Sequence, residues 1–399
     1  MATAQARTIR SGPAVLSLGL RPFFLAGALH AAFAMALFVP WYLGMVAPPS
    51  ALPPLAWHAH ELLFGYVPAI VAGFLLTAVP NWTGRAPLAG PPLAGLLALW
   101  LFGRLAILMG AGLPPVAIAL ASLAFPLALT AFVAHEILRA GNRRNLKIVG
   151  ILVVLCAAKA LFHAELAATG AAETAERIAL AAIVLLVSIV AGRIVPAFTG
   201  NWMKAASRGP LPAPFGPLDR AAMILAGAAL AAFAAIPTVP AIAAPAGALL
   251  LASGTIHLVR QLRWAPHRTL PEPLVTILHV GYLFVPAGFV LLGLDALLGL
   301  PGAGSAGLHA WSVGAIGVTT LAVMTRASLG HTGRALCADG ATVAIYAAIV
   351  AAAILRILAA LDPAHAGLLL PAAGLLWIGA FLGFASAYGR KLLADRVDA

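Results

Sequence analysis

Residues 57–85 read Trp57-His58-Ala59-His60-Glu61, then an uncharged run from Leu62 to Val79, then Pro80-Asn81-Trp82-Thr83-Gly84-Arg85. This stretch decides the fold class. As a helix rising 1.5 Å per residue, His58 to Val79 covers roughly 32 Å, enough to cross a bilayer. Two imidazoles and a carboxylate therefore enter a membrane helix at one end, and a polar, aromatic and basic stop closes the other. Ionisable groups in that position are costly to bury and mark functional sites by default.

Eleven more apolar runs surround this one, at about 22–46, 93–112, 114–138, 145–168, 176–196, 219–236, 240–260, 273–294, 306–326, 341–361 and 367–389, with 57–79 in second place. Each lies near the ~20-residue spanning length, and Pro, Gly and charged clusters punctuate them. The expectation is an all-α polytopic membrane protein with 12 transmembrane helices. No connection is long enough for a second domain, so residues 1–399 read as a single transmembrane domain. Composition agrees: the chain is 62% hydrophobic and 9% charged, against roughly 25% charged residues in soluble proteins. Cys156 and Cys337 form no CxxC pair and no disulfide framework, which argues against thiolate metal sites. The run after Arg21-Pro22-Phe23-Phe24 is too long for a signal-peptide core and reads as a retained first helix.

A net charge of +12 could suggest nucleic acid, but the charge is scattered over short loops and reads as topology instead. Eighteen Arg and Lys residues, among them Arg7, Arg10, Arg21, Arg85, Arg208 and Arg260, fall on one side of this helix count, and only Arg177 falls on the other. The positive-inside rule then puts both termini in the cytoplasm. Trp57, Trp82, Trp202, Trp264 and Trp311 fall at predicted membrane edges, where an aromatic belt is the default reading.

With that orientation, His58, His60, His163 and His309 lie at the outer level, and His279 and His331 toward the inner half. A single histidine is more often a hydrogen-bonded interior group than a ligand. Several neutral imidazoles from packed helices suit haem iron and copper. Residues i and i+2 point about 200° apart on a helix, so His58 and His60 serve opposite faces rather than one ion, or one of them supports the other from behind. Arg104, Lys159, Arg193, Arg326 and Arg356 lie within spans and need partners; Glu61, Glu165, Asp295 or haem propionates can supply the anions. Val79-Pro80-Asn81-Trp82-Thr83-Gly84, Val195-Pro196-Ala197-Phe198-Thr199-Gly200 and Gly330-His331-Thr332-Gly333 close helices 2, 6 and 10. Either these are chance or they mark a triplication into three four-helix arcs.

The chain resembles the NnrS family in Arg21-Pro22-Phe23-Phe24, in the Trp57–Glu61 box with Phe64-Gly65, and in Gly73 through Gly84. It does so again in Gly192-Arg193-Ile194-Val195-Pro196-Ala197-Phe198-Thr199, in Leu278-His279-Val280-Gly281-Tyr282, and in His309 with Gly314-Ala315-Ile316-Gly317. The last match is Met324 through Arg334. The resemblance implies a bacterial inner-membrane protein that holds haem b and copper and takes part in the nitric oxide response beside denitrification. The motif histidines are His58, His60, His279, His309 and His331, with His163 intermediate, and Arg104, Arg193 and Arg326 as cofactor-binding candidates. In architecture the chain also resembles the haem–copper oxidase catalytic subunit, with twelve helices in three arcs, but it has no histidine in helix 6 and no His-His pair in helix 7.

The leading expectation is a nitrosative-stress protein of the inner membrane that binds, removes or reduces nitric oxide. Reduction to nitrous oxide would make it an oxidoreductase that draws electrons from a donor not legible here. Glu61 is the candidate for proton delivery, with a structural pairing to Arg104 as the alternative. A non-catalytic sensor or buffer, and a transporter of haem, copper or a small solute, are the competing classes. An outer haem pair drawn from His58 or His60 with His309, and an inner metal on His279 and His331, are expected.

Overall fold

The computed structural model describes residues 12–207 and 209–397; Arg7, Arg10 and Arg208, used above for orientation, lie outside them. Among the described residues there is no strand, and twelve helices are long and apolar enough to cross a membrane. They are α1 (Leu20–Tyr42), α2 (Pro54–Thr83), α3 (Pro91–Leu108), α4 (Pro115–Arg139), α5 (Arg143–Thr169), α6 (Glu173–Ala205), α7 (Pro217–Ala235), α8 (Pro240–Leu262), α9 (Pro273–Leu298), α10 (Ala303–His331), α11 (Gly340–Leu361) and α12 (Pro363–Leu393). Local chemistry sets their ends. Pro54, Pro91, Pro115, Pro217 and Pro273 each open a helix in its first turn, where the missing N–H costs nothing. Gly84 and Gly299 close α2 and α9 in the left-handed conformation, φ +69° and +59°, which a Cβ would resist.

The chain packs as two compact units. Among the described residues, the first comprises 12–176, 324–336 and 381–397, and the second 177–207, 209–323 and 337–380. In the first, α2 is the most buried span, with 72% of its apolar window covered against 28% for α4. It packs on α1 and α4, while α3 packs on α4 and α4 on α5. In the second, α9 packs between α8 and α10, and α7 lies on α8.

Two spans depart from regular α geometry. In α2, seven α-helical residues ending at His60 are followed by a π-helical stretch, Glu61–Tyr66, and then by α-helix again. In α10 the α-helix Ala303–His309 gives way to a π-helical stretch, Ala310–Val318. Both stretches begin directly after a histidine at an α-helix end, and π turns occur preferentially at functional sites. Of the three spans in the possible repeat, α2 and α10 share this build, whereas α6 is α-helical throughout.

Two groups of residues differ from the sequence reading. Arg21 and Arg260, counted as loop charges, are buried within α1 and α8. Arg21 donates to the carbonyls of Leu392 and Ala394 at 3.0 and 2.6 Å, and Arg260 pairs with Asp219. Paired charges can sit inside a span, so position near its end did not make them loop residues. Arg85 does lie outside the spans; Glu136 hydrogen-bonds its guanidinium and holds its pKa above the usual value. The belt reading fails for Trp57, Trp264 and Trp311, which are buried. The Trp311 indole donates to the Val285 carbonyl at 3.0 Å, a partner that a lipid-facing ring would lack.

Candidate functional site

His60 and Glu61 stand where α2 passes from α to π geometry, and both are buried, at 0% and 1% exposure. His60 Nδ1 lies 2.8 Å from Glu61 Oε1. Arg104 of α3 places a guanidinium nitrogen 2.6 Å from the same oxygen, and His30 of α1 places Nε2 3.0 Å from Glu61 Oε2. One carboxylate thus ties three helices together. A carboxylate beside a guanidinium only accepts hydrogen bonds. His60 therefore carries its proton on Nδ1, and Nε2 keeps the lone pair. That nitrogen is buried and makes no hydrogen bond. A carboxylate behind an imidazole is the arrangement that orients a histidine toward a metal.

The π turn and Gly65 make the cluster possible. Gly65 lies one turn beyond Glu61, and its carbonyl accepts the Trp100 indole N–H at 3.0 Å. A Cβ at Gly65 would stand 2.7 Å from an Arg104 guanidinium nitrogen, 2.9 Å from His30 Nε2 and 3.2 Å from Glu61 Oε2. Gly65→Ala is accordingly expected to destabilise the protein by about 1–3 kcal/mol, the usual cost of overpacking a filled site. Thermal unfolding in detergent reads it, and an unchanged midpoint would show that the cluster has room to yield.

The other face of the His60 ring is walled by Phe64, Phe162 and His163, with ring centroids 5.6, 5.3 and 5.4 Å away. His163 Nε2 lies 2.8 Å from the Ser122 hydroxyl, which also reaches the Ala119 carbonyl. The imidazole tautomer sets which of the two is the donor in this contact. Lys159, one turn earlier on α5 and 1% exposed, donates to the Ser122 carbonyl at 2.5 Å. Beyond His163 opens a pocket of about 500 Å³, bordered by residues 50–53, 110–115 and the end of α5.

His58 faces elsewhere. Its ring stacks on Phe38 of α1 at 4.1 Å. The two imidazoles of the His-x-His pair thus have different neighbours, as the 200° separation requires.

In the second unit, His279 Nε2 lies 2.9 Å from the Thr199 hydroxyl, which also reaches the Val195 carbonyl. The tautomer of His279 sets the donor in this contact, and its buried Nδ1 makes no hydrogen bond. Gln261 donates to the His279 carbonyl at 2.6 Å. Beside it lies a buried network: Asp219 accepts from Arg260 at 2.9 Å and Arg263 at 3.2 Å, and Arg260 donates to the Tyr282 hydroxyl at 2.8 Å. That hydroxyl lies 2.7 Å from His257 Nδ1. His309 donates Nδ1–H to the Ser305 carbonyl at 2.7 Å, where the α-helical start of α10 meets its π stretch. Arg193 is half-buried in α6. His331 and Arg326, both half-buried near the end of α10, belong to the first unit.

Of the residues chosen from sequence, the first unit gathers His60, Glu61, Arg104 and His163. His58 looks away, and His279 and His309 belong to the second unit. Sequence reasoning left His30 and His257 outside the motif histidines and gave no role to Ser122, Asp219 or Tyr282. The available signal for His30 was Gly65, four residues after Glu61, since a glycine permits close approach by another group.

A search of curated proteins finds no match to the chain. The family model described as NnrS protein matches residues 14–396, nearly the whole length and every helix above. The chain belongs to the NnrS family.

Proposed function

We propose that this protein binds nitric oxide at a haem held by His60 and removes it there. Family membership places the chain in the nitric oxide response. One observation carries the finer reading. His60 Nε2 is a buried imidazole nitrogen with a lone pair and no partner, and its other nitrogen is fixed by Glu61.

The donor set can be compared with the two cofactors that the resemblance implies. Among the described residues no three His, Cys, Asp or Glu side chains form a group that could hold a metal ion. A dedicated copper site needs such a group, so the described residues do not fit copper. A haem iron would take one imidazole nitrogen, and His60 Nε2 fits that need; His279 Nδ1 is a second buried nitrogen without a hydrogen bond. A bound haem would supply an iron with an open position for nitric oxide. The protein's own groups divide the remaining tasks. Arg104 and His30 hold the Glu61 carboxylate, and Glu61 holds the ring of His60. Phe64 and Phe162 keep water away from it. With Arg104 and His60 hydrogen-bonded to Glu61 Oε1 and His30 Nε2 3.0 Å from Oε2, a structural pairing with Arg104 is supported over proton delivery. The basic loops support an inner-membrane location with both termini in the cytoplasm.

The test is the haem and metal content of protein purified without chelators, with visible spectra before and after anaerobic addition of nitric oxide. His60→Ala is expected to remove a haem component that His58→Ala leaves in place. Identical losses from both variants would mean one shared site and would overturn this assignment. Sustained anaerobic consumption of nitric oxide would show turnover, and a single stoichiometric uptake would show a binding protein.

A further inference from the structure

The pocket beside His163 is built for traffic. Its lining includes Ser50, Leu52, Gly110, Ile118, Leu166 and Ala167, and none of its lining residues is Lys, Arg, Asp or Glu. It is open where Ala111, Gly112, Leu113 and Ala167 are exposed. At its inner wall stands the ring of His163, and directly behind that ring, 5.4 Å between centroids, lies His60. Phe162 packs edge-on against the His163 ring and Phe64 against Phe162, so these rings stand with His163 around His60. The distance from open pocket to unpartnered nitrogen is thus the thickness of one side chain.

We propose that this pocket is the entrance by which a small uncharged molecule reaches the space beside the His60 ring, and that His163 is its door. The proposal rests on the reading of His60 as the residue that holds the nitric oxide-binding group, and it adds the route and the class of molecule admitted. The door is latched by one hydrogen bond, between His163 and the Ser122 hydroxyl at 2.8 Å. That hydroxyl is held in turn by the Ala119 carbonyl, and the same residue's carbonyl is held by Lys159. A side-chain rotation is the smallest motion that could open the wall, and such rotations are fast. The selection comes from the walls. An ion moving from the pocket past two phenylalanine rings would shed its hydration with no compensating charge on the lining, whereas a neutral diatomic has little hydration to lose.

Thiol labelling of the full chain tests this without cofactor or nitric oxide. Failure of the route therefore leaves the haem reading standing, and absence of haem leaves the route standing. The background is Cys337→Ser, since Cys337 is exposed and Cys156 is buried. Ala167→Cys reports the pocket and His60→Cys reports the space behind the door, with Phe64, Phe162 and His163 left in place. Neutral methyl methanethiosulfonate and its cationic trimethylammonium analogue are the probes. Both reagents are expected to label Ala167→Cys quickly. His60→Cys should be labelled slowly, and by the neutral reagent only. Ser122→Ala should speed that labelling about fivefold, the population shift that one neutral hydrogen bond sustains. His163→Ala should speed it further. Equal rates at His60→Cys with and without His163, or equal access by the cationic reagent, would each overturn the proposal. If His163→Ala fails to fold, as judged by labelling at Ala167→Cys, the milder Ser122→Ala comparison decides it alone: an unchanged rate there overturns the door.

Discussion

Glu61→Leu is expected to lower the unfolding free energy by about 3–5 kcal/mol, the range seen when one partner of a buried ion pair is removed. Glu61 is 1% exposed and Arg104 8%. Removing the carboxylate leaves a guanidinium that cannot shed its proton inside a helical bundle, and it also strips the acceptors from His30 and His60. The leucine fills much of the same volume, so the loss measures charge and hydrogen bonding rather than a cavity. Arg104→Met added to Glu61→Leu should recover most of the loss, because a buried pair replaced by apolar side chains is often neutral or better. Glu61→Gln should fall between, since it keeps an acceptor but loses the charge. Unfolding in detergent by heat or denaturant reads all of these. A stable Glu61→Leu variant, or no recovery in the double variant, would mean that water or lipid reaches Arg104 and that the cluster is not a closed one.

Asp219→Ala is expected to have an effect of the same order, about 3–5 kcal/mol, in the second unit. Asp219 is 2% exposed and Arg260 1%. The carboxylate also accepts the Gly216 backbone N–H at 2.9 Å at the start of α7, and losing such a cap costs about a further 1 kcal/mol. Without Asp219, Arg260 keeps only neutral acceptors, the Ser188 carbonyl at 3.2 Å and the Tyr282 hydroxyl at 2.8 Å. Because Arg260 orients Tyr282, and Tyr282 meets His257, tyrosine fluorescence in a tryptophan-depleted background should shift as well. The idea fails if Asp219→Ala and Asp219→Asn both unfold at the wild-type midpoint.

The spans and the residues that open them were readable from the chain because bilayer thickness and proline chemistry act locally. The His58, His60 and Glu61 box was readable because charge at a span entrance is rare. Arg104 was recognised as needing an anion, with Glu61 among several candidates. What chose between them is the adjacency of α2 and α3, which a single sequence does not contain. His30 was left out of the site for the same reason: on α1 it sits mid-span in an apolar run with no polar neighbour to mark it. Arg260 was misplaced because a basic residue near a span end looks the same whether it faces water or a buried aspartate forty-one positions earlier. The π stretches left no mark in the apolar periodicity, since apart from Glu61 and Ser312 their residues are apolar or aromatic on every side.

A π turn holds about one residue more than an α turn, and this sets the phase between the two halves of α2. The lower half is keyed to α1: Thr77 accepts the Leu20 backbone N–H at 3.2 Å, and Gly73 leaves space for the Phe24 ring. The upper half is keyed to the site. Deleting a single residue between Leu62 and Tyr66 would let α-helical bonding run through and swing Trp57–His60 by about 100° against the lower half. His60 would then leave Phe162, and His58 would leave Phe38. The stretch works as a vernier that lets one helix satisfy two settings at once, and α10 carries another between His309 and Thr319. Length changes in the loops leave these settings alone, whereas a single residue gained or lost within either vernier turns its histidine out of alignment.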